Sequence, residues 1–583
     1  MRGETGRTGK LLRGGAGILL ASSVIGMLYV PLLSGYFSSD DMSWIWFAAT
    51  KSVGEILFSP EDYRAIGSSN FTPMLGLSFK LDWILSGIDP RGYLLHNLFA
   101  VVAAGTALFM VLRLYAGQLT AFAGAVLYLL NPVVLSVYSW SSTRHYSEGM
   151  FFALLAVYVA IRAERVGKVS AAGGILYLLA ALCKEIYILL PAVIFIVCRG
   201  GFMQRVKATL PMWTGLGVYA VWRVVMLGGT GGYPFGGVTG IRDVAEGMGN
   251  SVHVLSVFLF GNFSLLFFPL IGIILITAGR KQLLQSAGIA AVLFLPIVPV
   301  LSLIDLNHSW ARYFFHLSVF LTVSGLLWGN TMLRQRGWKG IMVVILLIIT
   351  VPVFLLRGFH LKNLLSEGSS ISRAAAEEFI FSEKPYVVSR QPVWFYDGLR
   401  DIYQYLFHRT ILTKVIPEEN LQSYLSEERK EEIALSGYSL PVTKAQDVRP
   451  DAIGGRMSVE GYRFTWDFDG YGDGTYLIIM GKESGLYTFG TPVKRRGTYL
   501  FGRYYPGDRP QVFYLRAVYR SPDGWEALSP EFSIEIPGDR SIRLQRNEQM
   551  GSLPDTMTGR HPLACLLFLQ YHSVQEAGQY GGV

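Results

Sequence analysis

Residues 93–112 read YLLHNLFAVVAAGTALFMVL, a run of twenty residues without a single Asp, Glu, Lys or Arg. An α-helix rises about 1.5 Å per residue, so a helix of this length is roughly 30 Å long. That length matches the hydrocarbon core of a lipid bilayer. The segment is therefore predicted to be a transmembrane helix that ends at Arg113.

Further apolar runs of this kind fill the chain up to about residue 358. They are Ala16–Phe37, Leu119–Tyr138, Tyr146–Ile161, Val169–Cys183, Ile186–Cys198, Thr209–Leu227, Val252–Ala278, Leu284–Ile304, Tyr313–Leu333 and Ile341–Leu356. The chain is 51% hydrophobic and 16% charged, whereas soluble domains carry about 25% charged residues. These observations exclude an ordinary soluble enzyme and predict a polytopic α-helical membrane protein with about eleven transmembrane helices.

The formal net charge of +9 comes mainly from basic residues in alternate loops. If the basic N-terminus is cytoplasmic, the inner loops hold most of the cations, which is the usual positive-inside pattern. The inner cations are then Arg113, Arg162, Arg165, Lys168, Arg199, Arg205, Lys207, Arg280, Lys281, Arg334, Arg336 and Lys339. This topology requires Val169–Cys198 to form two short helices that turn at Lys184-Glu185. A charged pair inside the membrane is costly and indicates a functional site.

Composition divides the chain into four predicted regions. Residues 1–358 form the transmembrane domain, and its outer loop, 38–92, contains an acidic pair and two apolar helices, one around Trp44 and one over Pro73–Leu85. Residues 359–454 form a soluble α/β linker region with a strand-like run, Tyr386–Val393, and a polar helix, Glu419–Ala434. Residues 455–538 form a small β-sandwich, and 539–583 a flexible tail.

The β-sandwich is predicted from short alternating runs separated by Gly, Pro and Asp turns. The runs are Tyr462–Phe468, Thr475–Met480, Thr498–Tyr505, Val512–Tyr519 and Glu531–Ile536. Residues 513–519, FYLRAVY, followed by Asp523-Gly524 and a last strand, resemble the end of a fibronectin type III module.

Ionisable residues from distant loops fall on the outer face in this topology. They are Asp40, Asp41, Arg144, His145, Lys184, Glu185 and Arg312, with Arg223 near the outer end of its span. An acidic pair beside several cations suits a reaction in which a carboxylate deprotonates a hydroxyl and cations hold a phosphate leaving group. Two carboxylates are too few ligands for a hard cation, so neither a metal nor another cofactor is predicted.

The order of motifs resembles the membrane domain of GT-C glycosyltransferases. The motifs are Ser39-Asp40-Asp41, Asn70-Phe71-Thr72-Pro73, Gly87–Leu98, Asn131-Pro132, Trp140, Arg144, Cys183-Lys184-Glu185 and Arg312-Tyr313. The match covers about residues 15–330 and is closest to tetratricopeptide-containing protein O-mannosyltransferases and their bacterial relatives. The resemblance implies a GT-C fold and transfer of a sugar from a polyprenyl-phosphate donor to a hydroxyl of a protein, lipid or polysaccharide.

The resemblance also implies roles for residues of this chain. Asp40 or Asp41 is the expected catalytic base, and the expected donor-phosphate ligands are Arg144, Lys184, Arg312 and Arg223. Supporting roles are expected for Glu185, His145 and Tyr313. The expected location is a bacterial inner membrane, with the catalytic face and the C-terminal region in the periplasm. The expected partners are the lipid-linked donor, the acceptor and membrane lipids, without nucleic acid.

Each assignment has an alternative that involves no catalysis. Asp40-Asp41 could cap the helix that follows, Lys184-Glu185 could be a mutually satisfied buried pair, and Arg144 or Arg312 could reach lipid headgroups. His96 is interpreted as a hydrogen-bonded packing residue. For the whole chain, the alternatives are a lipid or polysaccharide transporter and a non-catalytic membrane scaffold that presents the β-sandwich.

Overall fold

The structure is a computed structural model. It describes residues 19–67, 70–229, 241–277, 279–298, 308–335, 338–381, 386–389, 393–408, 411, 414–417, 433–434, 448–449, 453–460, 463–468, 475–481, 484, 489–493, 495–500, 511–520 and 526–536. The chain divides into two compact units, Met1–Arg373 and Ala374–Val583.

The first unit is helical throughout its described part. Its helices are α1 Leu19–Ser34, α2 Asp41–Thr50, α3 Val53–Phe58, α4 Pro60–Ile66, α5 Pro73–Ser86, α6 Pro90–Arg113, α7 Gln118–Leu130, α8 Pro132–Tyr138, α9 Arg144–Arg165, α10 Ala171–Cys183, α11 Leu190–Val197, α12 Phe202–Leu227, α13 Ile241–Phe260, α14 Phe267–Thr277, α15 Arg280–Phe294, α16 Phe315–Gln335 and α17 Trp338–Phe381. The last of these runs on into the second unit.

Among the described residues, five helical segments are long and apolar enough to cross a membrane, or six if the bent pair α7–α8 is one span. The five are Pro90–Arg113, Ser141–Arg165, Phe202–Leu227, Gly247–Ile273 and Gly340–Phe381. The pair α7–α8 bends by 57° at Asn131-Pro132, because a proline disfavours helical backbone in the residue before it. The prediction of several helices long and apolar enough to cross a membrane is confirmed. The count of eleven stays a prediction, because other apolar runs form shorter helices.

Residues 169–198 form two helices, as predicted. Lys184 is extended (φ −158°, ψ 140°) and ends α10, and α11 then returns toward the end of the unit at which α10 began. The return is shown by the Gly200 N–H, which donates to the carboxylate of Glu164 in the last turn of α9. Because α10 starts just after α9 ends, the turn at Lys184 lies at the opposite end of the hairpin.

Cations of three predicted inner loops lie together at one end of the first unit. The Arg165 guanidinium donates to the Leu114 carbonyl at 2.9 Å, and the Arg199 guanidinium lies 5.3 Å from the centre of the Tyr115 ring. These contacts gather the loops after α6, α9 and α11. The predicted site residues belong to the other end, around the loop before α2, the start of α9 and the turn at Lys184.

The two helices predicted in the outer loop are present as α2 and α5, and two short helices lie between them. Ser52 caps α3 in a capping box with Glu55, and Ser59 caps α4. Trp44 of α2 contacts Phe79 of α5, with ring centres 6.4 Å apart. The helices α2 and α5 therefore pack on each other, and the acidic pair lies at the N-terminus of α2.

The second unit contains α18, Val393–Phe407, and twelve described strands. The strands are β1 Tyr386–Ser389, β2 Lys414–Pro417, β3 Ile433–Ala434, β4 Val448–Arg449, β5 Gly455–Glu460, β6 Arg463–Phe468, β7 Thr475–Gly481, β8 Phe489–Val493, β9 Arg496–Leu500, β10 Gln511–Arg520, β11 Glu526–Leu528 and β12 Phe532–Ile536. The strands form three sheets, β2-β1-β3, β5-β6-β9 and β4-β11-β10-β7-β8, in the last of which β12 also pairs with β10.

The described strands confirm a small C-terminal β region. Each of the five predicted runs overlaps an observed strand. The linker predictions fare differently: Tyr386–Val393 is a strand only to Ser389, and Val393 begins α18. The predicted polar helix Glu419–Ala434 lies outside the described residues except at its end, where Ile433–Ala434 is a strand and not a helix. The predicted tail, 539–583, lies outside the described residues entirely.

Candidate functional site

The acidic pair opens α2 in a left-handed turn. Ser39 has φ 50°, an uncommon backbone conformation for a residue other than glycine. Asp41 is buried and accepts two backbone hydrogen bonds, from Ser38 N–H at 3.0 Å and from Ser142 N–H at 2.6 Å. Asp41 therefore fixes the loop before α2 to the segment before α9.

Asp40 is the more accessible carboxylate. It is half-buried, and its Oδ1 accepts a hydrogen bond from the Ser142 hydroxyl at 2.7 Å. Within the described part of the chain, Oδ2 has no hydrogen-bond partner. Asp40 stands at the N-cap position of α2, yet its side chain accepts no capping hydrogen bond. The side chain of Asp40 therefore does not cap α2, whereas Asp41 lies in the first turn of the helix and accepts the Ser38 N–H.

Burial and the charge of Asp40 raise the pKa of Asp41 to about 7, although the Ser38 and Ser142 hydrogen bonds favour the carboxylate. A buried acid with a raised pKa stabilises the fold fully below its unfolded pKa of about 3.9. That contribution is lost as the pH rises through about 7.

We expect the wild-type protein to lose stability relative to Asp41→Asn as the pH rises from about 5 to about 8, by an amount on the order of a few kcal/mol. Thermal unfolding of both proteins in detergent across this range measures the difference. Asp62→Asn is the matched control. Burial opposes ionisation of Asp62, but hydrogen bonds from Lys51 and Ser59 outweigh it and hold the pKa of that carboxyl below its usual range. A pH-independent difference for Asp41→Asn would contradict the prediction.

The segment from Ser139 to Thr143 holds Ser142 in place. The Thr143 hydroxyl donates to the carbonyl of Val137 at 2.6 Å, and the Asn97 amide donates to the Tyr138 carbonyl at 2.8 Å. The Trp140 indole N–H donates to the Ser38 carbonyl at 3.2 Å. The partner of the acidic pair is thus held by α6, α8 and the loop before α2.

Lys184 and Arg312 each lie over two aromatic rings, and they share one of them. Lys184 Nζ lies 5.5 Å from the ring centre of Tyr146 and 5.8 Å from that of Tyr313. Arg312 Cζ lies 4.5 Å from the Trp140 ring and 5.6 Å from the Tyr313 ring. Tyr313 therefore contacts both cations, and Trp140 connects Arg312 to the loop of the acidic pair. A cation over an aromatic face is attracted by the negative face of the ring, which helps to hold it in position.

Glu185 pairs with Arg223 more closely than with Lys184. Its Oε1 accepts hydrogen bonds from Arg223 at 2.5 Å and from Phe71 N–H at 2.8 Å, whereas Oε2 lies 3.7 Å from Lys184 Nζ. The alternative of an exclusive Lys184–Glu185 pair is therefore not supported. The charge of Arg223 is compensated within the protein, which makes it a weaker candidate for a phosphate ligand.

Arg144 also has a carboxylate partner. Its Nη1 donates to Asp82 Oδ2, and its side chain is fully buried, 5.0 Å from the centre of the Phe79 ring. A guanidinium that is buried and paired in this way is neither snorkelling to lipid headgroups nor open to a phosphate. The neighbouring His145 is buried against the Tyr146 ring at 4.7 Å. Of the four predicted phosphate ligands, Arg144 and Arg223 are held by carboxylates at hydrogen-bond distance. Lys184 lies 3.7 Å from Glu185, and both Lys184 and Arg312 lie over aromatic rings.

Sequence reasoning missed a polar network that joins α5, α6 and α9. His96 Nδ1 lies 2.7 Å from Asp82 Oδ1, and His96 Nε2 lies 3.5 Å from Glu148 Oε1. That oxygen also accepts from the Ser78 hydroxyl at 2.6 Å. His96 is hydrogen-bonded, as its interpretation as a packing residue requires, but it faces two carboxylates. The available signal was the four-residue spacing of Arg144 and Glu148 and of Ser78 and Asp82, which places each pair on one helix face.

Among the described residues, no group of three His, Cys, Asp or Glu side chains is arranged to hold a metal ion. A comparison with protein-family models and with curated proteins finds no match to this chain.

Proposed function

We propose that this protein is a membrane glycosyltransferase that moves a sugar from a polyprenyl-phosphate donor to a hydroxyl acceptor on the outer face of the membrane. The observation that carries the proposal is the acidic pair. Asp41 is buried and fixed by two backbone N–H groups, while Asp40 is half-buried and, among the residues that the structure describes, only its Oδ1 accepts a hydrogen bond. This division suits one positioning carboxylate and one general base.

In the proposed reaction, Asp40 takes the proton of the acceptor hydroxyl as its oxygen bonds to the anomeric carbon of the sugar. The bond from that carbon to the donor phosphate breaks, and its electron pair leaves with the phosphate. Lys184 and Arg312 then stabilise the charge that grows on the phosphate oxygens. Both cations contact Tyr313, so they can act on one group.

The proposal includes the membrane arrangement inferred from sequence. Eleven crossings with a cytoplasmic N-terminus place the acidic pair, Lys184 and Arg312 on the outer, periplasmic face of a bacterial inner membrane. The gathering of Arg165 and Arg199 at the opposite end of the first unit supports this orientation. A GT-C-like fold is proposed for residues 1–358.

For residues 455–538 we propose a fibronectin type III-like β-sandwich. Two separate sheets support it, β5-β6-β9 and the sheet containing β8-β7-β10-β12, since a sandwich needs two such sheets. The rings of Phe468 on β6 and Tyr476 on β7 stack 5.7 Å apart across them.

The proposed activity is tested by deleting the protein from its host and comparing glycans by mass spectrometry, with complementation by the wild type or by Asp40→Asn. Loss of one glycan species, restored only by the wild type, is the expected result. A purified protein that releases polyprenyl phosphate from a lipid-linked sugar would identify the donor directly. Unchanged glycans in the deletion strain would contradict the proposal.

Arg312→Lys should lower turnover about tenfold to hundredfold although the charge is kept, because lysine cannot reproduce the planar, two-pronged contact of a guanidinium with phosphate. Arg162→Lys is the matched control: this arginine also lies over a tyrosine ring, that of Tyr158, but at the other end of the unit. Steady-state rates with the lipid-linked donor measure both. Full activity of Arg312→Lys would remove Arg312 as a phosphate ligand.

Lys184→Met should fold but lose turnover. Glu185 keeps Arg223 as its closer partner in this variant, so the buried carboxylate is not left without a cation. Size-exclusion chromatography tests folding, and the donor assay tests turnover. An active Lys184→Met protein would show that the phosphate is held without Lys184.

A further inference from the structure

The network of Asp82, His96, Arg144 and Glu148 contains two buried charged residues, Asp82 and Arg144, and one partly exposed residue, His96. The exposed fractions of the side chains are 27% for His96, 12% for Glu148, 4% for Asp82 and 0% for Arg144. Asp82 accepts from both His96 and Arg144, so it fixes the imidazole through Nδ1, and Nε2 then lies 3.5 Å from Glu148 Oε1. A histidine held by a carboxylate in this way presents its second nitrogen in a defined orientation.

Several groups in this network have unused hydrogen-bonding capacity. Within the described part of the chain, Nε and Nη2 of Arg144 and Oε2 of Glu148 are buried and have no hydrogen-bond partner. The gap of 3.5 Å between His96 Nε2 and Glu148 Oε1 is too long for a good hydrogen bond. Buried polar groups are nearly always satisfied, so the network is arranged to accept further partners.

The balance of charges selects the kind of partner. Two carboxylates, Asp82 and Glu148, face one guanidinium and one imidazole. An anion such as phosphate is repelled by the carboxylates, and a cation by Arg144. A neutral ligand with several hydroxyls can donate to Glu148 and to His96, the two members whose side chains are partly exposed.

We propose that the His96–Glu148 pair, backed by Asp82 and Arg144, binds the hydroxyl groups of a carbohydrate. This proposal rests on the proposed function in one respect. If the protein is a glycosyltransferase, the site selects the sugar of the donor or of the acceptor. It lies beside the acidic pair in the chain, because Arg144 follows Ser142 by two residues. It uses side chains other than Lys184 and Arg312, which contact aromatic rings.

Binding is tested with the full-length protein in a detergent without a sugar headgroup. The probes are methyl glycosides of common hexoses and pentoses, and the readout is tryptophan fluorescence or thermal stabilisation. His96→Asn keeps a hydrogen-bond donor to Asp82 but removes the second ring nitrogen, Nε2. Glu148→Gln removes the negative charge but keeps the shape of the side chain. We expect at least one glycoside to bind the wild type and each variant to weaken that binding roughly tenfold to hundredfold. His360→Asn, an exposed histidine of α17, is the matched control.

Binding that is unchanged in both variants would overturn the proposal, and so would the absence of binding to the wild type.

In a transfer assay, donors and acceptors lacking single hydroxyls identify the source of the sugar. If the wild type prefers the normal donor to a deoxy donor and His96→Asn does not, the site binds the sugar of the donor. If the lost preference is instead for the normal acceptor over a deoxy acceptor, the site binds the acceptor. Transfer with discrimination intact in His96→Asn overturns this site alone. Glycoside binding that depends on His96, in a protein without transfer activity, overturns the proposed function alone.

Discussion

Asp40→Asn is expected to lower the rate of sugar transfer by about two to four orders of magnitude, the usual cost of losing a general base. Asparagine keeps the size of the side chain and can still accept the hydrogen bond from the Ser142 hydroxyl. It cannot take a proton from the acceptor. The transfer rate with a lipid-linked donor is the measurement, with thermal stability and membrane insertion measured in parallel.

Glu61→Gln, an exposed carboxylate in the same outer loop, is the matched control and should retain wild-type activity. Asp41→Asn should behave differently from Asp40→Asn. It weakens the attachment of the loop to Ser142, so it should change stability as well as rate. If both single variants and the double variant transferred sugar at the wild-type rate, the acidic pair would have no catalytic role.

The acidic pair was predictable from sequence because its signal is local. Two adjacent carboxylates precede an aromatic helix, and both lie within one short stretch. Their shared partner was not predictable. Ser142 lies about a hundred residues away, and a serine in a polar loop carries no pattern that distinguishes it from other serines.

The helices of the first unit were predictable in kind and less so in length. Apolar runs identify membrane-like segments from composition alone, and the turn at Lys184 followed from the charges on either side. What composition does not fix is where a run breaks. Asn131-Pro132 divides one predicted span by a bend of 57°, and α10 and α11 are short helices that composition alone would have joined.

The roles of individual cations were the least predictable part of the site. Arg144, Lys184, Arg223 and Arg312 look alike in sequence, since each stands at the outer end of an apolar run. The structure separates them by their partners. Arg144 and Arg223 have carboxylates, supplied by Asp82 and Glu185, and each of these contacts joins helices distant in sequence. Tertiary pairing of this kind has no periodic signature.

Replacing Asp82 with leucine is expected to destabilise the first unit by about 3 kcal/mol or more, because breaking a buried ion pair leaves a charge without its partner. Arg144 is fully buried and directly bonded to Asp82. Glu148 remains 3.5 Å from Arg144 Nε, a distance that compensates the charge only in part. The loss should appear as a lower unfolding temperature and as poor recovery of the folded protein in detergent.

Asp62→Leu is the matched control for this prediction. The Lys51–Asp62 pair is similar in type, but both side chains are more than a fifth exposed, and exposed pairs contribute about 0–1 kcal/mol. It should therefore unfold at nearly the wild-type temperature. An Asp82→Leu protein as stable as Asp62→Leu would mean that the buried network does not stabilise the fold.

The double variant Asp82→Leu with Arg144→Met distinguishes stability from function. Removing both charges leaves no buried ion unpaired, so folding should recover, as it often does when a buried pair is replaced by apolar residues. Transfer should stay impaired, because His96 has lost the carboxylate that orients it and the start of α9 has lost its tie to α5. A double variant with full stability and full activity would show that the network contributes only to folding. Stability without activity would instead show that these buried charges are retained for the chemistry at the end of the helices.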